Sequence, residues 1–168
     1  LTGAVAADPC SPGTVQPQVS QGSCDKCEAG SFQEQPGETA CERCPAGAYC
    51  AEGASAALPC LEGSYSSATG LSSSGQCTAC PEGSFCSTSS LTPTECSPGT
   101  VQPLAEQGTC DKCDAGKFMN ESGKTACFEC VAGSYCAVGS GAPLPCTAGR
   151  FQNKALKVQT SASDCVVC

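Results

Sequence analysis

CSPGTVQP, running from Cys10 to Pro17, recurs letter for letter from Cys96 to Pro103. The duplication is wider than these eight residues. Cys10, Cys24, Cys27, Cys41, Cys44, Cys50 and Cys60 return as Cys96, Cys110, Cys113, Cys127, Cys130, Cys136 and Cys146, every offset being 86. Across 10–60 and 96–146, 32 of 51 aligned positions are identical. A repeat on this scale governs the fold reading before any local propensity does.

A shorter period lies inside the long one. Cys10, Cys27, Cys44, Cys60, Cys80, Cys96, Cys113, Cys130 and Cys146 are each followed three residues later by glycine. Five residues after each cysteine stands Val15, Phe32, Tyr49, Tyr65, Phe85, Val101, Phe118, Tyr135 or Phe151, a slot that holds seven of the eight aromatics. The unit C-x-x-G-x-[V/F/Y] thus occurs nine times, at steps of 16, 17 or 20 residues. It predicts a turn followed by a short extended segment. Ser11-Pro12-Gly13-Thr14 carries Pro and Gly where a type II turn wants them, whereas Cys44-Pro45-Ala46-Gly47 suits a type I turn ending in Gly. No stretch sustains a 3.6-residue apolar period, so helices are not expected; 153–158 is the one exception to consider, and it is short.

Composition leads to the same class. Nineteen of 168 residues are cysteine, with 19 Gly, 12 Pro and no Trp. At roughly 11% cysteine the chain reads as a disulfide scaffold, and its scarce large side chains leave covalent links to replace the missing core. The expected fold is small and disulfide-rich, mostly irregular with short β-hairpins. It forms an elongated rod of about nine tandem 16–20-residue units without a single large core. Along the chain this gives an extended leader at 1–9, a first array copy at 10–95 and a second at 96–168, the last holding the start of an unfinished tenth unit.

The repeat also narrows the cysteine pairing. Units opening at Cys10, Cys27, Cys96 and Cys113 close fourteen residues on, suggesting Cys10–Cys24, Cys27–Cys41, Cys96–Cys110 and Cys113–Cys127. Cys60–Cys77 and Cys146–Cys165 close similarly. The rest then pair as C-x5-C: Cys44–Cys50, Cys80–Cys86 and Cys130–Cys136, with Cys44–Cys60 the alternative for that part of the ladder. Cys168 is left over, either opening a further unit in a longer array or bonding another molecule.

The strings CPAGAYCAEGASAALPCLEGSYSSATG (44–70), CDKCEAGSF (24–32) and CTACPEGSF (77–85) resemble the ephrin-receptor-like cysteine-rich repeat, a relative of the tumour-necrosis-factor-receptor and growth-factor-receptor cysteine-rich modules. Large surface proteins of algae and other protists carry long arrays of this look. The resemblance covers about 10–168. It implies a disulfide-laddered rod of hairpins outside the cell, and it transfers no ligand, because such repeats serve as stalks, spacers and adhesive arrays alike.

Chemistry-bearing motifs are few. Six C-x-x-C doublets could pair into four-thiolate zinc sites, yet the chain has no His and the disulfide ladder uses eighteen of its nineteen cysteines. Asp25 and Asp111, inside their doublets, are isolated acids without a calcium-loop pattern. No base serves a nucleophile, so neither enzyme activity nor a metal or other cofactor is expected. Asn120-Glu121-Ser122 is an N-glycosylation sequon. Ser66, Ser67, Thr69, Ser72, Ser73, Ser74, Ser87, Thr88, Ser89, Ser90, Thr92 and Thr94 form two tracts of candidate O-glycosylation acceptors. A net charge of −8 argues against nucleic acid and anionic membrane as partners, and the longest uncharged run, 130–149, is too broken by Gly, Pro and Cys to span a bilayer.

Starting without Met or a signal pattern, the chain reads as a mature secreted or cell-surface segment. Its mildly apolar leader, Leu1–Ala7, suits docking on its own rod or a neighbour's. These features point first to an extracellular structural glycoprotein that self-associates into a homopolymer, a fibre or a cell-surface coat. The alternative is the stalk or ligand-binding module of a receptor, for which Arg150, Lys154 and Lys157 offer the best patch. A small protease inhibitor ranks third.

Overall fold

The computed structural model describes residues 8–18, 22–152 and 159–167. Within them, each C-x-x-G stretch turns into a strand of two or three residues, and a second short strand returns antiparallel to it. The first five hairpins are β1 (Thr14–Val15) with β2 (Asp25–Lys26), β3 (Ser31–Phe32) with β4 (Glu42–Arg43), β5 (Ala48–Tyr49) with β6 (Leu58–Pro59), β7 (Ser64–Tyr65) with β8 (Thr78–Ala79), and β9 (Ser84–Phe85) with β10 (Thr94–Glu95). Four more follow: β11 (Thr100–Val101) with β12 (Asp111–Lys112), β13 (Lys117–Phe118) with β14 (Phe128–Glu129), β15 (Ser134–Tyr135) with β16 (Leu144–Pro145), and β17 (Arg150–Gln152) with β18 (Cys165–Val167). The described residues thus carry nine hairpins in tandem, one per sequence unit, and their only helical segments are two 3₁₀ turns, Ser74–Gln76 and Ala162–Asp164. None is long and apolar enough to cross a membrane. The predicted exception at 153–158 lies outside the described residues.

The chain divides into two compact units. One comprises Leu1–Leu61, Tyr65–Thr78 and Thr88–Thr92; the other comprises Glu62–Ser64, Ala79–Ser87 and Pro93–Cys168.

Each hairpin begins at the repeat's glycine. Gly13 takes φ +84°, and the Thr14 amide donates to the Ser11 carbonyl (3.0 Å). That is the type II arrangement expected from Pro12-Gly13. The type I turn suggested for Cys44–Gly47 does not form. Gly47 also has a positive φ, +76°, and its amide donates to the Ser66 carbonyl rather than back to Cys44. The demand of the next repeat for that amide overrides the local Pro-Ala preference.

Eighteen cysteines form nine bridges: Cys10–Cys24, Cys27–Cys41, Cys44–Cys50, Cys60–Cys77, Cys80–Cys86, Cys96–Cys110, Cys113–Cys127, Cys130–Cys136 and Cys146–Cys165. Cys44 is therefore joined to Cys50 and not to Cys60. Cα–Cα separations of 5.7–6.0 Å sit within the relaxed range for a disulfide.

These bridges are the core. Among the buried apolar side chains of the described residues, only Val15, Ala48, Leu71, Val101 and Met119 are not cysteine. The slot residue packs forward rather than onto its own bridge. Phe32 lies against Cys44, Ala48 and Cys50 of the following repeat, and Val101 joins Cys113 and Met119 of its successor. Two-residue strands cannot stand alone in water; here each is fixed by one covalent closure and one neighbouring hairpin.

Candidate assembly surface

Adjacent repeats are joined mainly by backbone hydrogen bonds in a pattern that recurs along the chain. In the first compact unit the Gly13, Gly30 and Gly47 amides donate to the carbonyls of Gln33, Cys50 and Ser66, at 2.7, 2.7 and 2.8 Å. In the second, Gly63, Gly83, Gly99 and Gly116 donate likewise to Cys86, Gln102, Met119 and Cys136 at 2.7–2.8 Å. The acceptor is always the residue after the slot of the following repeat. The carbonyl of each opening cysteine from Cys10 to Cys113 takes a second bond, from the amide of Gly37, Gly53, Gly70, Ser89, Glu106, Gly123 or Gly139 (2.8–2.9 Å). All seven of these donors have positive φ. A third bond runs from the amide after the slot to a loop carbonyl of the next repeat, as in Gln33 to Ala54 and Met119 to Ser140, both 3.1 Å.

The turn glycine is required twice over at these junctions. A Cβ on Gly30 would lie 2.5 Å from the Gly70 carbonyl oxygen, and one on Gly47 would lie 2.6 Å from that of Ser89. Those contacts are with backbone and cannot swing aside.

The residue after the slot is an anchor whose chemistry varies while its task does not. Gln33 and Gln102 are 5% and 3% exposed. Their Nε2 groups donate to the Ala40 and Thr109 carbonyls, both at 2.8 Å, while their Oε1 atoms accept from the Gln35 and Leu104 amides. Ser66 does a smaller version of this job, its Oγ accepting from the Ala68 amide. At Cys50, Cys86 and Cys136 the anchor is a disulfide, and at Met119 it is apolar packing with 1% exposure. Sequence reasoning passed over this position because no single residue type marks it. The signal was there in the spacing: it is always the sixth residue after the opening cysteine.

At the last repeat the surface is more open. Among the described residues no atom lies within 4 Å of a Cβ built on Gly149, in contrast to Gly13, Gly30, Gly47, Gly63, Gly83 and Gly99. Phe151 is 45% exposed, while the other slot residues are buried or half-buried. Val131, Val138 and Leu144 of the eighth repeat and Val167 of the ninth are exposed as well.

The remaining predicted residues fall as follows. Asn120 is exposed on the loop between β13 and β14. Ser67, Thr69, Ser73, Ser74, Ser87, Thr88, Ser89, Thr92 and Thr94 are exposed, and Ser72 and Ser90 are half-buried. Ser66 is buried, 6% exposed, and leaves the set of candidate sugar acceptors because its hydroxyl anchors a turn. Asp25 and Asp111 are exposed on β2 and β12, opposite Val15 and Val101. Among the described residues no group of three or more His, Cys, Asp or Glu side chains is placed to hold a metal. Arg150 is held by its own hairpin, Nη1 donating to the Cys165 carbonyl (2.9 Å), which weakens the basic patch suggested for the ninth repeat. Lys154, Lys157, Cys168 and Leu1–Ala7 lie outside the described residues. A cleft of about 610 Å³ lined by Val101, Asp111, Lys112, Asp114 and Lys117 is open and of mixed charge, without a convergent set of reacting groups.

Electrostatics act locally. In the ninth repeat the Asp164 carboxylate accepts from the Thr160 and Ser161 amides at 2.7 and 3.0 Å, and these bonds hold its pKa below the ordinary 3.8. Gln76 performs the same task for Ser72 and Ser73 in the fourth repeat with a neutral amide oxygen. A depressed carboxyl pKa adds stability above the unfolded value that is lost as pH falls through the folded value. Acidification through the lowered Asp164 pKa should therefore reduce the protection of the Thr160 and Ser161 amides relative to their intrinsic exchange rates, while the protection of the neutral Ser72–Gln76 turn stays unchanged, a contrast that NMR hydrogen exchange reads.

Compared with protein-family models and with curated proteins, the chain matches none.

Proposed function

We propose that this chain is a segment of an extracellular structural array, of the ephrin-receptor-like cysteine-rich kind that its repeat resembles, which adds repeat to repeat into a fibre or a cell-surface coat. The observation that carries the reading is the junction itself. The same set of backbone bonds joins hairpin after hairpin within each compact unit, using groups that every repeat carries, and Phe151 adds an exposed aromatic to the ninth repeat. An interface made head to tail, rather than face to matching face, propagates into an open filament wherever its rotation does not close a ring. Nine disulfides in place of an apolar core support an oxidising compartment. The role is mechanical and adhesive, a reading supported by a chain without His and by ionisable groups that are dispersed over the surface among the described residues.

Electron microscopy and light scattering of the secreted protein test this. Filaments or sheets with a regular repeat, reduced in Phe151→Glu, are the expected result. Isolated particles at every concentration, unaffected by that substitution, would overturn the assembly reading and favour a receptor stalk.

A further inference from the structure

The two array copies provide an internal comparison at the sequon. Phe118-Met119-Asn120-Glu121-Ser122 of the seventh repeat aligns with Phe32-Gln33-Glu34-Gln35-Pro36 of the second, and Phe128 aligns with Glu42. The differences between the copies thus include a glycosylation acceptor and, on the facing strand, an aromatic residue.

Phe128 is 55% exposed. It stands directly opposite Phe118 in the hairpin register, with ring centroids 5.9 Å apart and planes tilted by 53°. An exposed ring offers a flat apolar face on which another apolar surface can pack. In the first copy the same place holds a carboxylate, which water covers. Asn120 lies two residues beyond Phe118, exposed on the loop that leaves β13, and so close enough in sequence for an attached sugar to reach the two rings.

The loop is also fixed before any sugar arrives. The Met119 carbonyl accepts from Gly99, and its amide donates to Ser140. Gly123 donates to the Cys96 carbonyl (2.9 Å). At the tip, Lys124 Nζ pairs with Glu121 Oε2 at 2.8 Å. A sugar added here loses little chain entropy on settling, because its attachment point is held from both sides.

We propose that Asn120 carries an N-linked glycan whose first N-acetylglucosamine lies on the Phe118–Phe128 pair, its apolar C–H face covering the exposed ring. The seventh repeat is then a hairpin completed by carbohydrate, and the second repeat is its sugar-free equivalent. The inference rests on the extracellular reading above, because only a chain passing through the secretory route meets the glycosylation machinery.

The test uses the full chain secreted from a eukaryotic host that adds high-mannose glycans. Mass spectrometry of the tryptic peptide Phe118–Lys124 reads occupancy. One glycosidase then trims the glycan to its first N-acetylglucosamine, and another removes it entirely. Trimming should leave the melting midpoint unchanged, and complete removal should lower it by roughly 2–4 °C, matching an unglycosylated Asn120→Gln chain. In Phe128→Glu, which installs the residue of the first copy, all forms should melt together. An unoccupied Asn120 in a secreted, disulfide-bonded chain overturns this inference and leaves the extracellular reading standing, as does a loss on deglycosylation that is equally large in Phe128→Glu. A secreted chain recovered with the eighteen ladder cysteines reduced overturns both.

Discussion

Reduction of the nine disulfides unfolds the chain throughout, in plain buffer and without denaturant. The expectation follows from what is buried. Among the described residues eleven of the sixteen buried apolar side chains are cysteines, so the bridges are at once the cross-links and most of the core. What remains after reduction is Val15, Ala48, Leu71, Val101 and Met119, scattered over separate repeats. Closing a 15-residue loop is worth about 3 kcal/mol in the chain-entropy model, and a typical domain has only about 5–15 kcal/mol in all. Losing several such closures exhausts any ordinary reserve, and two-stranded hairpins do not persist alone. Amide proton dispersion followed through a titration with reductant should collapse to random-coil values. Native dispersion surviving in excess reductant would show that the junction bonds suffice without the bridges.

The second large effect is expected at Gly30. Replacement by alanine places a Cβ 2.5 Å from the Gly70 carbonyl oxygen and strains a residue at φ +91°. It also disturbs two junction bonds, from the Gly30 amide to Cys50 (2.7 Å) and from the Cys44 amide to the Gly30 carbonyl (2.9 Å). The left-handed conformation alone costs about 1–3 kcal/mol for a residue with a side chain, and a contact with backbone adds a further 1–3 kcal/mol or so. A loss of about 3 kcal/mol or more, visible as a lower melting midpoint or as failed oxidative refolding, is the predicted outcome. Gly75→Ala is the control, since nothing lies within 4 Å of its Cβ. The converse holds at Ser89 and Glu106, which occupy the second left-handed position at φ 62° where other repeats have glycine. Ser89→Gly and Glu106→Gly should each stabilise by about 1 kcal/mol. An unchanged midpoint in Gly30→Ala would mean that neighbouring repeats are not in register as described.

What could be read from the letters depended on whether a physical demand leaves a residue type behind. The turn needs a positive φ, and only glycine supplies it cheaply, so Gly13 and its equivalents stood out. Cross-links need cysteine, so the nine closures were visible in spacing. The junctions were not visible, because amides and carbonyls join repeat to repeat and every residue carries those groups. The anchor position hid for a related reason: Gln33, Cys50, Ser66 and Met119 meet one geometric need by four chemistries. Ser66 illustrates the cost. Read by composition it belongs to a sugar-bearing serine tract, whereas its hydroxyl is a structural acceptor for Ala68. The Pro-Ala-Gly turn of the third repeat was read as local, and its outcome was set by the Ser66 carbonyl one repeat further on.

The most direct test is a disulfide map of the secreted protein, obtained by proteolysis under non-reducing conditions and mass spectrometry of the linked peptides. The ladder predicts sequential local pairs, with Cys44 joined to Cys50, Cys80 to Cys86 and Cys130 to Cys136. A Cys44–Cys60 bridge, pairs that skip a repeat, or any of the eighteen ladder cysteines found reduced would contradict it.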